Sequence, residues 1–139
     1  MFGVGGTSHI GQGADLQAKH SDAEFLDKMS EAWRYLTGRM QSDPARTAAI
    51  GHCMGGRLLI PFAADTPQLR AIILYYPTPA IQGPLWQSFI ANGQPVEWHF
   101  FSDANHGFRH PDNAGFQPHY ADLTWPLVTS FLQRQGLTA

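Results

Sequence analysis

Cysteine is scarce in this chain, charge is low, and no long apolar run occurs; each shortage narrows what the chain can be. One cysteine among 139 residues cannot close an intrachain disulfide. Charged residues make up 14%, the formal net charge is -2, and the nine Lys and Arg residues are scattered rather than clustered. That distribution leaves no electrostatic footprint for nucleic acid or an anionic membrane surface. No apolar stretch approaches the ~20 residues that span a bilayer. The opening MFGVGGTSHIGQGADLQ has neither the basic n-region nor the continuous apolar h-region of a signal peptide, and no internal repeat or low-complexity tract occurs. What remains is a chain that is 43% hydrophobic, the size and apolar content of one globular domain over 1–139, expected in a reducing cytoplasm.

Residues 1–20 are glycine-rich without a sustained period and are expected to be loop. Ser21-Asp22-Ala23-Glu24 then forms a capping box, and Phe25, Met29, Ala32, Trp33, Leu36 and Met40 recur at helical spacing along one face, which predicts an amphipathic helix ended by Asp43-Pro44. Residues 46–53 are small and apolar enough for a buried strand, and residues 55–64 for the helix after it, with Pro61 expected to bend it or end it early. Residues 69–76, LRAIILYY, are a continuous apolar run, as a central parallel strand buried on both faces requires. After a proline-stiffened loop, a short helix is expected over 85–91 and a strand over 95–101, PVEWHFF. A closing helix is predicted over 123–135 with Thr124 as N-cap and Pro126 in its first turn. Strands alternating with helices define an α/β fold, three-layer α/β/α with a mostly parallel sheet.

The single thiol sits in AAIGHCMGGRL, residues 48–58. Gly51-His52-Cys53-Met54-Gly55 has the form G-x-C-x-G, the thiol counterpart of the G-x-S-x-G nucleophile elbow, and it falls where a strand should turn sharply into a helix. The spacing follows from the chemistry: the nucleophile is held on a strained turn, and flanking glycines let backbones approach where a Cβ would clash. The following helix aims its positive dipole end at the sulfur, which favours thiolate, and offers the Met54 backbone N–H to a developing oxyanion. The competing reading is an inert buried thiol with glycines that merely pack.

A thiol nucleophile needs a base. Of seven histidines, His106 in SDANHGFRHP follows the expected 95–101 strand, on a loop at the C-terminal edge of the sheet where α/β sites collect. His52 is the competitor, but it adjoins Cys53 in sequence, and adjacent side chains rarely point the same way. Arg109 is the candidate for contacting an anionic substrate group, against the plainer alternative of an exposed arginine paired with a loop carboxylate.

With IGHCMGGR, then AIILYYP, then EWHFFSDANHGF in order, the chain from Ser21 to its C-terminus resembles the dienelactone hydrolase family of α/β-hydrolases. The resemblance implies cofactor-free and metal-free hydrolysis of a lactone or small carboxylic ester through an acyl-enzyme. Cys53 would be the nucleophile, His106 the general base, and the Met54 N–H one arm of the oxyanion hole. Two departures stand out. The family's N-terminal strands have no counterpart here, and Gly83-Pro84 runs directly into LWQSFIANGQ, where the family places a strand carrying the triad acid. The expectation is therefore a partial α/β-hydrolase fold, truncated at the N-terminus and lacking the acid strand.

Asp103, Asp112 and Asp122 lie near His106 in sequence, and each reads as a turn, loop or helix-start residue. The missing neighbour would leave residues 69–76 with an unpaired apolar edge prone to association, so a homodimer is one expected state. Beside the enzyme stand two other readings: a catalytically inactive remnant serving as a binding or structural module, and a thiol redox sensor. The sensor is disfavoured because the chain has no resolving cysteine.

Overall fold

A computed structural model describes residues 15, 17–40, 42–77, 87–88, 91, 93 and 95–138. The first helix, α1 (Asp22–Arg34), starts where the sequence places it. Ser21 Oγ accepts the Glu24 N–H at 3.3 Å, while the Glu24 carboxylate takes the Ser21 N–H at 2.7 Å. This closes the capping box and satisfies donors that a helix start leaves orphaned. The helix then widens into a π-turn over Tyr35–Arg39, with Thr37 donating to Trp33 O at 2.9 Å. The wider turn breaks the helical period. Phe25 is buried and Trp33 meets Phe62 edge-on at 6.3 Å, whereas Leu36 and Met40, expected on the same apolar face, are exposed.

Asp43 caps a short 3₁₀ turn over Pro44–Arg46, and strand β1 (Ala48–His52) follows. Helix α2 (Met54–Ala64) begins within two residues of the strand's end. Pro61 does not end it early; the helix runs three residues further, with Asp65 N–H reaching Pro61 O at 3.1 Å. Strand β2 (Ala71–Tyr75) pairs in parallel with β1, Ala48 opposite Ala71 through His52 opposite Tyr75. In β2, Ile73 and Tyr75 are buried while Ala71, Ile72 and Leu74 are half-buried, so the strand is not buried on both faces as expected. The final helix, α3 (Pro118–Arg134), starts five residues before the expected 123. Gln117 is its N-cap residue and Pro118 stands in its first turn, where the missing N–H costs nothing. Thr124 is no cap: it is buried inside the helix, its hydroxyl donating back to Tyr120 O at 2.8 Å. Pro126, expected in the first turn, lies in the helix interior.

Helices packed on a parallel strand pair make this an α/β fold, with a sheet of two strands among the described residues. Leu58, Leu59 and Phe62 bury the inner side of α2, which lies against both strands. Ile73 and Tyr75 form a second core with Phe108, Tyr120 and Val128, so α3 closes on the Ile73–Tyr75 face. Residues 95–100 carry no ladder, which corrects the expected strand over 95–101. Among the described residues its aromatic, β-prone residues pair with no strand, and Phe100 is 80% exposed; β-propensity without a pairing partner does not make a strand. Of the loop expected over 1–20, the described residues 15 and 17–19 are helical, which corrects it there; of the helix expected over 85–91, residues 87, 88 and 91 are described, and they are helical. Among the described residues no helix is long and apolar enough to cross a membrane.

Candidate active site

The elbow is built by the backbone. Cys53 has φ 52° and ψ -119°, a conformation that costs a side-chain-bearing residue about 1–3 kcal/mol. Its N–H donates to Tyr75 O at 3.0 Å, fastening the turn to the end of β2. A Cβ on Gly51 would stand 2.5 Å from Gly55 O and 2.6 Å from Gly56 N; one on Gly56 would stand 3.1 Å from Gly51 O. Strand end and helix start therefore interlock where only glycine fits, and the thiol between them is left exposed. The thiol is therefore not the buried one that the competing reading expects. Met54 is the first residue of α2, where a backbone N–H has no intrahelical acceptor.

His106 meets this thiol. Its Nε2 lies 3.0 Å from Cys53 Sγ, across 53 positions of sequence, and both side chains reach solvent. The imidazole rests against the Tyr76 ring at 5.0 Å, and Tyr76 in turn packs edge-on to Phe108 at 5.2 Å. Tyr76 follows β2 directly and has φ 39°, a second strained residue beside the elbow. Burial raises its hydroxyl above the ordinary tyrosine range, partly offset by the nearby Arg109 charge.

His52 turns away from the thiol. It stacks on Tyr75 with centroids 4.8 Å apart and planes 4° from parallel. Burial first, then the positive fields of Arg109 and His110, lowers its pKa. The sign is fixed by linkage. A histidine depressed in the folded state binds fewer protons there than in the unfolded chain, so it favours folding least where only the unfolded chain can protonate it. Stability is expected to fall as pH drops below about 6.5, the unfolded histidine value. His52→Gln should flatten that part of a melting-temperature-versus-pH curve, and an unaltered curve would refute the assignment.

Arg109 is neither exposed beside a loop carboxylate nor in contact with the thiol. Its Nη1 donates to Tyr75 Oη at 2.5 Å, and its guanidinium lies 4.6 Å over the Tyr75 ring and 5.2 Å from that of Trp125. It borders an open depression of about 440 Å³ with Ala121, Asp122, Trp125 and Pro126. Asp103 is engaged elsewhere than at His106: its carboxylate accepts a hydrogen bond from the Tyr120 hydroxyl, which holds it below the usual carboxylate range. The His106 ring hydrogen-bonds to Cys53 and, among the described residues, to no carboxylate. Among those residues no group of three or more His, Cys, Asp or Glu is arranged to hold a metal ion.

Tyr76, against the His106 ring at 5.0 Å, and Gln117, whose Oε1 accepts the Asn105 N–H at 2.6 Å, are the neighbours of the contact that sequence reasoning does not single out. The Tyr-Tyr pair at the end of LRAIILYY was a visible signal for the first. Nothing in the sequence marks Gln117 beyond its place before a helix-opening proline.

A strand, a thiol in a strained turn and a helix start have the geometry of a nucleophile elbow on an α/β scaffold. The family model for the dienelactone hydrolase family matches residues 8–85, more than half of the chain, and the chain belongs to that family. The match begins before Ser21, contains Cys53 and Met54, and ends before His106 and Arg109. Comparisons with curated proteins and with solved structures return no match.

Proposed function

We propose that the protein hydrolyses lactones or small carboxylic esters through Cys53 and His106, extending the hydrolase character that its family gives it. The single observation that carries this reading is the 3.0 Å contact between His106 Nε2 and Cys53 Sγ. In the first half-reaction His106 takes the thiol proton and the sulfur adds to the substrate carbonyl. The oxyanion forms beside the Met54 N–H, at the positive end of α2. Collapse breaks the carbon–oxygen bond, and imidazolium returns the proton to the leaving alkoxide, leaving a thioester. Water then adds with His106 as base, the acid departs, and the thiol is regenerated.

Arg109 is the proposed contact for an anionic group of the substrate, which would require it to leave Tyr75. No cofactor enters the scheme, the substrate is a small molecule rather than a nucleic acid or membrane, and the setting is cytoplasmic. A homodimer is the proposed assembly if the apolar strand edge is to be covered. The test is turnover of small lactones and aryl esters by the purified chain. Hydrolysis lost in Cys53→Ala supports the scheme, and hydrolysis retained there contradicts it. A non-catalytic module is the second reading, favoured by the lack of a carboxylate on His106 among the described residues; a folded chain without turnover would favour it.

A further inference from the structure

A histidine base is ordinarily held by a hydrogen bond to its second ring nitrogen. Here the loop carrying His106 is gripped from both sides by one residue instead. Gln117 Oε1 accepts the Asn105 N–H at 2.6 Å, Gln117 Nε2 donates to Asp103 O at 3.1 Å, and the Gln117 backbone N–H donates to Phe108 O at 3.0 Å. The partners are the residue before His106, the third before it and the second after it. Gln117 is itself anchored as the residue that opens α3.

Three neighbouring contacts also bear on the loop and the ring. The Tyr120 hydroxyl, one turn into α3, holds the Asp103 carboxylate. Gly115 packs so closely on the loop that a Cβ there would stand 2.5 Å from His106 O. Tyr76 walls one side of the imidazole at 5.0 Å.

We infer that Gln117 is a positioning residue for His106, its amide clamping the loop so that the imidazole faces Cys53 without a carboxylate behind it. The inference rests on the Cys53–His106 reading. Gln117 makes no cap with its side chain, so its amide is committed to the loop rather than to the start of α3.

The test is a double-mutant cycle on the rate of Cys53 alkylation by iodoacetamide at neutral pH, with far-UV circular dichroism on each variant. Gln117→Leu keeps the bulk and removes the amide, and should slow alkylation about tenfold, as a misplaced reacting group does. In the His106→Ala background the same change should have no further effect, because a positioning residue acts only through what it positions. Gln117→Glu keeps an acceptor for Asn105 but loses the donor to Asp103 O, and should recover part of the rate, to about a third of wild type. If Gln117→Leu fails to fold, the cycle is run on Gln117→Glu, with a loss of about threefold expected and none in the His106→Ala background. A wild-type rate in the folded Gln117 variant, or an equal loss with and without His106, overturns the positioning role while leaving the Cys53–His106 pair intact. If His106→Ala alone leaves alkylation unchanged, the pair itself is refuted and the inference falls with it.

Discussion

Cys53→Ala is expected to lower turnover of small esters and lactones by at least about four orders of magnitude while leaving the melting temperature within a few degrees of wild type. The size of the effect follows from how a nucleophile and its base act as a unit, since removing one member forfeits nearly all covalent catalysis. The mildness toward the fold follows from the site. Cys53 is exposed, so truncation opens no internal cavity, and the hydrogen bond that fastens the turn comes from its backbone N–H to Tyr75 O, which alanine keeps. Alanine also tolerates the positive φ no worse than cysteine. Steady-state kinetics on an aryl ester beside a thermal melt would check both halves. Residual turnover near wild type would mean that another group does the chemistry.

Gly51→Ala should have the opposite signature, a large loss of stability. The added methyl would stand 2.5 Å from Gly55 O and 2.6 Å from both Gly55 C and Gly56 N. All three are backbone atoms at the start of α2, so no rotamer change relieves the clash; strand and helix must separate. Overpacking of this kind costs on the order of 3 kcal/mol, which for a domain of this size lowers the melting temperature by roughly 10 °C. Because Gly51 N-terminally flanks the elbow and Cys53 is tied to β2, the displacement should also slow Cys53 alkylation. Thermal melts of the two proteins decide the matter. A variant as stable as wild type would show that the close approach of β1 and α2 is not what the G-x-C-x-G-G spacing serves.

Local features were the legible ones. The Ser21–Glu24 capping box and the strand–thiol–helix turn at Cys53 are set by residues within a few positions of one another, and backbone sterics leave such stretches few alternatives. His106 meets Cys53 across 53 positions, although the strand expected to carry it to the C-terminal edge of the sheet does not form. The strand expected over residues 95–101 shows the limit. Its alternating β-branched and aromatic residues satisfy β-propensity, but a strand exists only through a ladder, and whether a neighbour is available is not written in the segment itself. The start of α3 failed for a different reason: Thr124 looked like a cap, yet Pro118, fixed at a helical φ, was the stronger signal. Leu36 and Met40 kept helical spacing in sequence while the π-turn at Tyr35–Arg39 shifted them out of register. Gln117 left no trace in the sequence because its role depends on three backbone groups that tertiary folding alone brings within its reach.

The most direct test of the Cys53–His106 pair is the pH dependence of Cys53 alkylation by iodoacetamide, measured on the wild-type chain and on His106→Ala side by side. A working pair should make wild type react faster than the variant between about pH 6 and pH 8, where an unassisted thiol is mostly protonated. The two curves should converge at higher pH, where the thiol ionises without help. Curves that coincide across the whole range would show that the 3.0 Å contact confers no activation on Cys53, and would contradict its role as a nucleophile served by His106.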